Sequence, residues 1–363
     1  MRKNRNIGID LLRIISMLLV VILHVIGNGK ILDNCKIFTM NYNIVWFLEI
    51  LAYCSVNCYA LISGYVGIDS KFKYSNILNL WLKVVFYTVI ISIIFFILVP
   101  ETITINNIIS AIFPVLFNQY WYFTSYFCMF FFIPFFNKLL EKLSKQEAKK
   151  LVLIIIIFFT AFAMISPVDI FSLSAGYSVL WLSSLYLIGG YIKKYNILKN
   201  WTIKKLLVSF LCCTIFIWTS KIFTEAITIK IFGEIKGNLF LIRYNSIFTL
   251  LQSVFLLLIF SRLNIKRNNK FIQYLSTSSF SVYLIHTHPL VWQYIIRGRF
   301  KYFSDFSNLK LVISIIFVSI CIYAICSGID FIRYKIFEML KVEKFSKFII
   351  SKLNIKETKL KKT

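Results

Sequence analysis

Asp10, Arg13 and His24 all lie within one apolar stretch, Gly8 to Val25 (GIDLLRIISMLLVVILHV). Ionisable groups are costly in lipid, so by default they face the interior of a helix bundle and serve a function. In a helix, Arg13 and His24 return to within about 20° of one another, and Asp10 falls within about 60° of both. The three share one face, with Arg13 and His24 roughly 16 Å apart along the axis. A guanidinium grips phosphate in a bidentate fork. An imidazole takes and returns protons near neutral pH. The face therefore carries an anion-binding group at one end and a proton acceptor towards the other. The same spacing equally suits an i,i+3 pair of Asp10 and Arg13 at the membrane edge, with Arg13 snorkelling, and a hydrogen-bonded interior His24.

The elements that must position these residues are apolar helices. The chain has 363 residues, 59% hydrophobic and 18% aromatic, with mean hydropathy +0.77, against about 45–50% apolar in soluble domains. Ten stretches reach the length of a spanning helix: 8–27, 44–67, 77–99, 120–137, 151–167, 173–192, 206–223, 239–260, 272–296 and 311–332. The piece 106–118, interrupted by Pro114, reads as an interfacial or re-entrant segment. With the N-terminus inside, 29 Lys and Arg fall in inside segments and 9 in outside loops, Lys221 among the latter and Arg333 with the C-terminal tail. The expectation is an all-α polytopic membrane bundle of about ten transmembrane helices with cytoplasmic termini. Residues 1–340 would form one integral-membrane domain, and 341–363 a basic, disordered cytoplasmic tail lying on anionic lipid. No signal-peptide cleavage site follows the first span.

The net charge is +26, but it sits in short loops and the tail, which argues against a nucleic-acid surface. The eight cysteines are scattered and no spacing suggests a zinc site or another metal. Richness in Lys, Asn, Ile and Phe fits an AT-rich bacterial genome and a bacterial cytoplasmic membrane.

Arg13, ten residues, then His24, in a basic-flanked first helix, resembles the signature of the acyltransferase family 3 membrane proteins. Other segments agree in order. LISGYVG (61–67) resembles the family's F-x-x-SG-[YF] stretch. QYWYFTSYFCMFFFIPFFNKLL (119–140) resembles its W-[FY]-[LF]…Y…IP helix, although Thr124 and Ser125 stand where apolar residues are common. FSVYLIHTHP (280–289) resembles its late [IV]-Y-L-[IL]-H helix, and Lys83 sits where the family often carries a basic residue. The resemblance covers about 5–335 and a minimal form without an added extracytoplasmic domain. It implies acetyl-CoA, or another acyl-CoA, as donor, and a hydroxyl of a lipid-linked or exported glycan as acceptor.

On that reading Arg13 and Lys83 bind the donor's phosphates, Asp10 orients Arg13, and His24 is the general base or a transient acyl-histidine. His286 is a second candidate base or an interhelical hydrogen bond, with Tyr283 one turn before it. Glu49 holds His24 in one tautomer, binds sugar, or sits idle at the interface. Trp121 and Tyr122 stack on sugar or belong to the aromatic belt. His288, before Pro289, reads as a helix-end residue. The competing classes are a transporter or flippase for a lipid-linked glycan, against which no inverted repeat is found, and a glycan polymerase, against which the outer loops are short.

Overall fold

A computed structural model describes residues 5–237, 239–265 and 269–353. Every regular element among these residues is helical. The long helices are α1 (Ile7–Gly27), α2 (Met40–Tyr53), α3 (Ser55–Gly67), α4 (Tyr74–Leu98), α5 (Trp121–Lys142) and α6 (Lys145–Ile156, continued by a π-turn). They continue with α7 (Val179–Tyr195), α8 (Ile203–Phe232), α9 (Ile247–Ser261), α10 (Lys270–His286), α11 (Asn308–Met339) and α12 (Val342–Lys352). Polar caps set many starts: Asn6, Thr39, Ser178, Thr202 and Asn269 each accept backbone N–H bonds, and Ser144 with Glu147 forms a reciprocal capping box. Asn196 and Gly233 end α7 and α8 in the left-handed region.

Among the described residues, seven helical segments are long and apolar enough to cross a membrane: 7–34, 40–67 (α2 with α3), 74–98, 121–142, 145–165, 203–232 and 308–339. The other three expected spans correspond to α7, α9 and α10, of 17, 15 and 17 residues. These are shorter because the chain turns before α9 and breaks after His286, ahead of Pro289. The outer faces expose apolar side chains such as Phe135 at 69% and Ile325 at 63%, as a lipid-facing surface requires. The chain forms an all-α polytopic bundle. The segment 106–118 holds a short helix, Ile105–Ile112, that ends before Pro114.

α1 is the central rod, packed against α2, α3, α9, α10 and α11. Successive rods alternate in direction. At one end Asn6 bonds to the Ser261 carbonyl and Arg262 to that of Leu198; at the other, Asn28 meets Gly298 and Asn41 meets Ser304. α3 and α7 touch backbone to backbone: a Cβ on Gly64 would collide with the Tyr186 carbonyl, and one on Gly189 with that of Leu61. The small residues of 61–67 thus serve close packing.

Three expectations are corrected. Val342–Lys352 is an amphipathic helix packed on α4 rather than disordered tail; Lys347 bonds Glu343 and holds that carboxyl below its usual range. The stretch from Lys356, and Arg2, Lys3, Lys266 and Arg267, lie outside the described residues. Lys221 belongs to no loop. It is buried in α8 against Glu225 at 2.7 Å, capped by the rings of Tyr42 and Trp46. Arg333 is likewise no tail residue: it is 6% exposed within α11 and paired with Asp330. Both were misplaced because a charge near a span edge reads as loop unless its partner is known.

Candidate active site

The Arg13 face of α1 begins in a charge cluster. Asp10 is fully buried and accepts from Arg5 at 2.6 and 2.9 Å, from Arg13 Nη1 at 3.0 Å and from Ser276 of α10 at 2.8 Å. One carboxylate thus serves two guanidiniums, and the cluster keeps one net positive charge. Arg13 engages Asp10 through one nitrogen, and its side chain stays 28% exposed. Asp10 orients Arg13, as its spacing suggested, with Arg5 and Ser276 as partners that spacing did not reveal.

From Arg13 the stripe continues through Met17 and Val20 to His24, at helical spacings of four, three and four. The last three line a small cavity of about 50 Å³. Tyr59 of α3 lines the same cavity and donates its hydroxyl to the Arg13 carbonyl at 2.6 Å. The cavity therefore lies along the His24 half of the stripe, with Tyr59 bridging its wall to the Arg13 backbone.

His24 and His286 meet across α1 and α10, Nδ1 of the first to Nε2 of the second at 2.8 Å. Their partners assign the tautomers. His286 Nδ1 lies 2.5 Å from the Val282 carbonyl, which only accepts, so this nitrogen carries the hydrogen. In a neutral His286, Nε2 is then a lone pair, and His24 Nδ1 must be its donor. That leaves Nε2 of His24 unprotonated. His286, not Glu49, sets the His24 tautomer. The Trp292 ring stands perpendicular to His24, centroids 5.2 Å apart, with its indole Nε1 buried and without a partner.

The rest of the cavity wall is aromatic. Trp121, Tyr122, Tyr244 and Tyr283 line it. Trp121 and Tyr177 pack at 4.4 Å, Tyr177 and Tyr244 at 4.8 Å, and Tyr53 stacks on Tyr244 at 4.5 Å. Glu49 lies in the electrostatic field of Tyr53 and Tyr244. Its Oε2 and the Tyr122 hydroxyl are buried without hydrogen-bond partners, an arrangement that costs roughly 1–3 kcal/mol for each group.

A family model described as an acyltransferase domain matches residues 6–329. The chain belongs to this acyltransferase family. No curated protein and no solved structure matches it. In the membrane acyltransferase, His24, Trp121, Tyr122 and Tyr283 line one cavity, His286 stands behind His24, and the Asp10–Arg13 pair lies further along α1. Glu49 stands behind the aromatic wall. Lys83 is not with Arg13: its charged neighbours are Asp330 and Arg333, and α10 lies between α1 and α4. His288 caps the turn Pro289–Val291 by accepting from the Leu290 N–H, as a helix-end residue does. Sequence reasoning missed Tyr59, Tyr177, Tyr244 and Trp292. Aromatics near span edges read as belt residues, and no spacing within one helix links them to His24.

Proposed function

We propose that this membrane acyltransferase is an O-acetyltransferase of a bacterial cytoplasmic membrane, moving an acetyl group from cytoplasmic acetyl-CoA to a hydroxyl of a cell-surface or exported glycan. The observation that carries the reading is the Arg13–Met17–Val20–His24 stripe on α1, whose last three residues line one cavity, with His24 Nε2 left free to accept a proton. Arg13, supported by Asp10 and Arg5, binds a donor phosphate at the cytoplasmic end. The roughly 16 Å from Arg13 to His24 suits a thin pantetheine arm laid along Met17 and Val20. Lys83 lies beyond α10 and gives the donor no direct second contact in this arrangement.

His24 Nε2 takes the proton of the acceptor hydroxyl as its oxygen bonds to the thioester carbonyl carbon. The carbon–sulfur bond breaks, and the imidazolium returns the proton to the departing thiolate. The products are an acetyl ester and a free thiol. While His24 is charged, its Nδ1–H donates to His286 Nε2, which steadies the ring and shares the charge. A two-step route through acyl-histidine uses the same Nε2 as nucleophile. Trp121, Tyr122 and Tyr244 offer faces for a sugar ring, and Tyr283 closes the cavity beside His24. Glu49 Oε2 and the Tyr122 hydroxyl are buried polar groups of the kind sugar hydroxyls satisfy.

The test is the O-acetyl content, by NMR, of surface glycan from a deletion strain complemented with wild type or His24→Ala at matched membrane levels. Wild type restores the acetyl signals and His24→Ala does not, an expected loss of about 10²–10⁴ in rate. Equal acetylation in all strains, with glycan export altered instead, would turn the reading to a flippase.

A further inference from the structure

A second cavity lies on the other side of His286. α4 and α11 both pack on α10 and leave between them a groove of about 480 Å³. Its walls are Ile90 and Ile94 of α4 and Ile325 and Ile329 of α11, all exposed by 41–63% to the surrounding lipid, and His286 forms part of its floor. The groove is apolar along its length, from Ile322 to Ile336 on α11; towards one end Arg333 lines it with little polar surface, and Lys83, off the lining, lies in the field of Arg333 and Asp330. Tyr87 donates to Asp330 at 2.7 Å, and Arg333 gives two bonds to the same oxygen. Two cations face one carboxylate, so this end keeps a net positive charge.

We propose that the groove binds an anionic membrane lipid, with one hydrocarbon chain between α4 and α11 and its phosphate at Lys83 and Arg333. Three observations select this occupant. Ile322, the far lining residue of α11, is eleven residues from Arg333, about 16 Å. That matches one leaflet of a hydrocarbon core about 30 Å thick. The charge at the end complements a phosphate, as basic pockets between spanning helices do. The walls turn apolar immediately beside Arg333, which suits an acyl chain joined closely to its headgroup. An acyl-CoA would put its polar pantetheine arm there instead. The chain then covers the back of His286, while the first cavity serves its partner His24.

The test uses full-length protein exchanged into neutral detergent and offered phosphatidylglycerol or phosphatidylcholine with identical chains, the retained lipid being counted by native mass spectrometry. Wild type retains one phosphatidylglycerol with about tenfold preference, as two nearby cations imply. Ile329→Trp and Ile94→Trp fill the groove from opposite walls, and each removes that retained lipid. Lys83→Gln weakens phosphatidylglycerol about fivefold and leaves phosphatidylcholine unchanged. Equal retention of both lipids by wild type overturns the proposal. So does retention that neither tryptophan variant alters. Displacement of the bound lipid by palmitoyl-CoA at one-to-one stoichiometry overturns it in favour of the donor.

Discussion

The molecule contains two Asp-x-x-Arg pairs, Asp10 with Arg13 on α1 and Asp330 with Arg333 on α11, and they are built for different ends. Asp330 spends one oxygen on both nitrogens of Arg333 and on Tyr87, and Arg333 is 7% exposed by side chain. Asp10 is shared among Arg5, Arg13 and Ser276, and Arg13 touches it through Nη1 alone while remaining 28% exposed. The Asp330 pair ties its guanidinium into the bundle wall by two nitrogens, leaving only an edge beside the lipid groove. The Asp10 pair holds its guanidinium by one corner and leaves the remainder open at the end of the stripe. The same four-residue spacing thus gives a tightly fastened guanidinium in one place and, in the proposed function, a donor-binding one in the other. The discriminating feature is how the carboxylate's oxygens are divided.

The comparison is broken most forcefully at the buried pair. Arg333→Ala leaves Asp330 buried beside Tyr87 without its ion partner and should lower unfolding free energy by about 3–5 kcal/mol. Thermal unfolding in detergent measures this, with the KM for the proposed acetyl-CoA donor unchanged in the surviving protein. Arg13→Ala is expected to do the reverse. It removes a charge-assisted contact worth about 1.5–3 kcal/mol, so the donor KM should rise roughly ten- to hundredfold with little change in unfolding temperature. A Tm drop comparable with that of Arg333→Ala, and an unaltered KM, would make Arg13 a fastening as well. Ser276→Ala takes one of four hydrogen bonds from Asp10 and should cost about 1 kcal/mol, read as a small rise in donor KM through a less firmly oriented Arg13. Tyr87→Phe at the other cluster is the smallest change: about 0.5–1.5 kcal/mol of stability and no kinetic effect.

The common face of Asp10, Arg13 and His24 was legible because a helix repeats and all three lie on one. The apolar stretches were legible by length, and seven of the ten fall on helices long and apolar enough to cross a membrane among the described residues; the other three fall on helices of 15 to 17 residues. What lay between helices was not. Glu49 was one candidate to hold the His24 tautomer, beside binding sugar or standing idle, yet the residue that meets His24 is His286, 262 residues away on α10. Lys83 looked like a helper of Arg13 because the two share a depth, but depth does not say which side of α10 a residue occupies. The aromatic wall joins Trp121, Tyr177 and Tyr244 from three separate segments, and pairings of that kind leave no periodic mark. Lys221 and Glu225 are four apart on α8, a spacing visible in the sequence. Their burial was hidden because the apolar run was taken to end at 223.

The backbone contact between α3 and α7 has a mechanical meaning. Helices that meet carbonyl against glycine cannot slide without clashing, so this wall of the cavity moves as one body. Asn137 bolts the far half of α5 to it, bonding the Tyr186 hydroxyl at 2.8 Å and the Gly67 carbonyl at 3.2 Å. Three residues earlier, Pro134 removes a rung from the α5 hydrogen-bond ladder. Trp121 and Tyr122, at the opposite tip, therefore ride on a lever whose pivot and anchor are adjacent. A bend of a few degrees at Pro134 would shift the aromatic wall by about an ångström, and the Tyr120 hydroxyl, bonded to the Leu284 carbonyl at 2.9 Å, is the tie to α10 that such a bend would load.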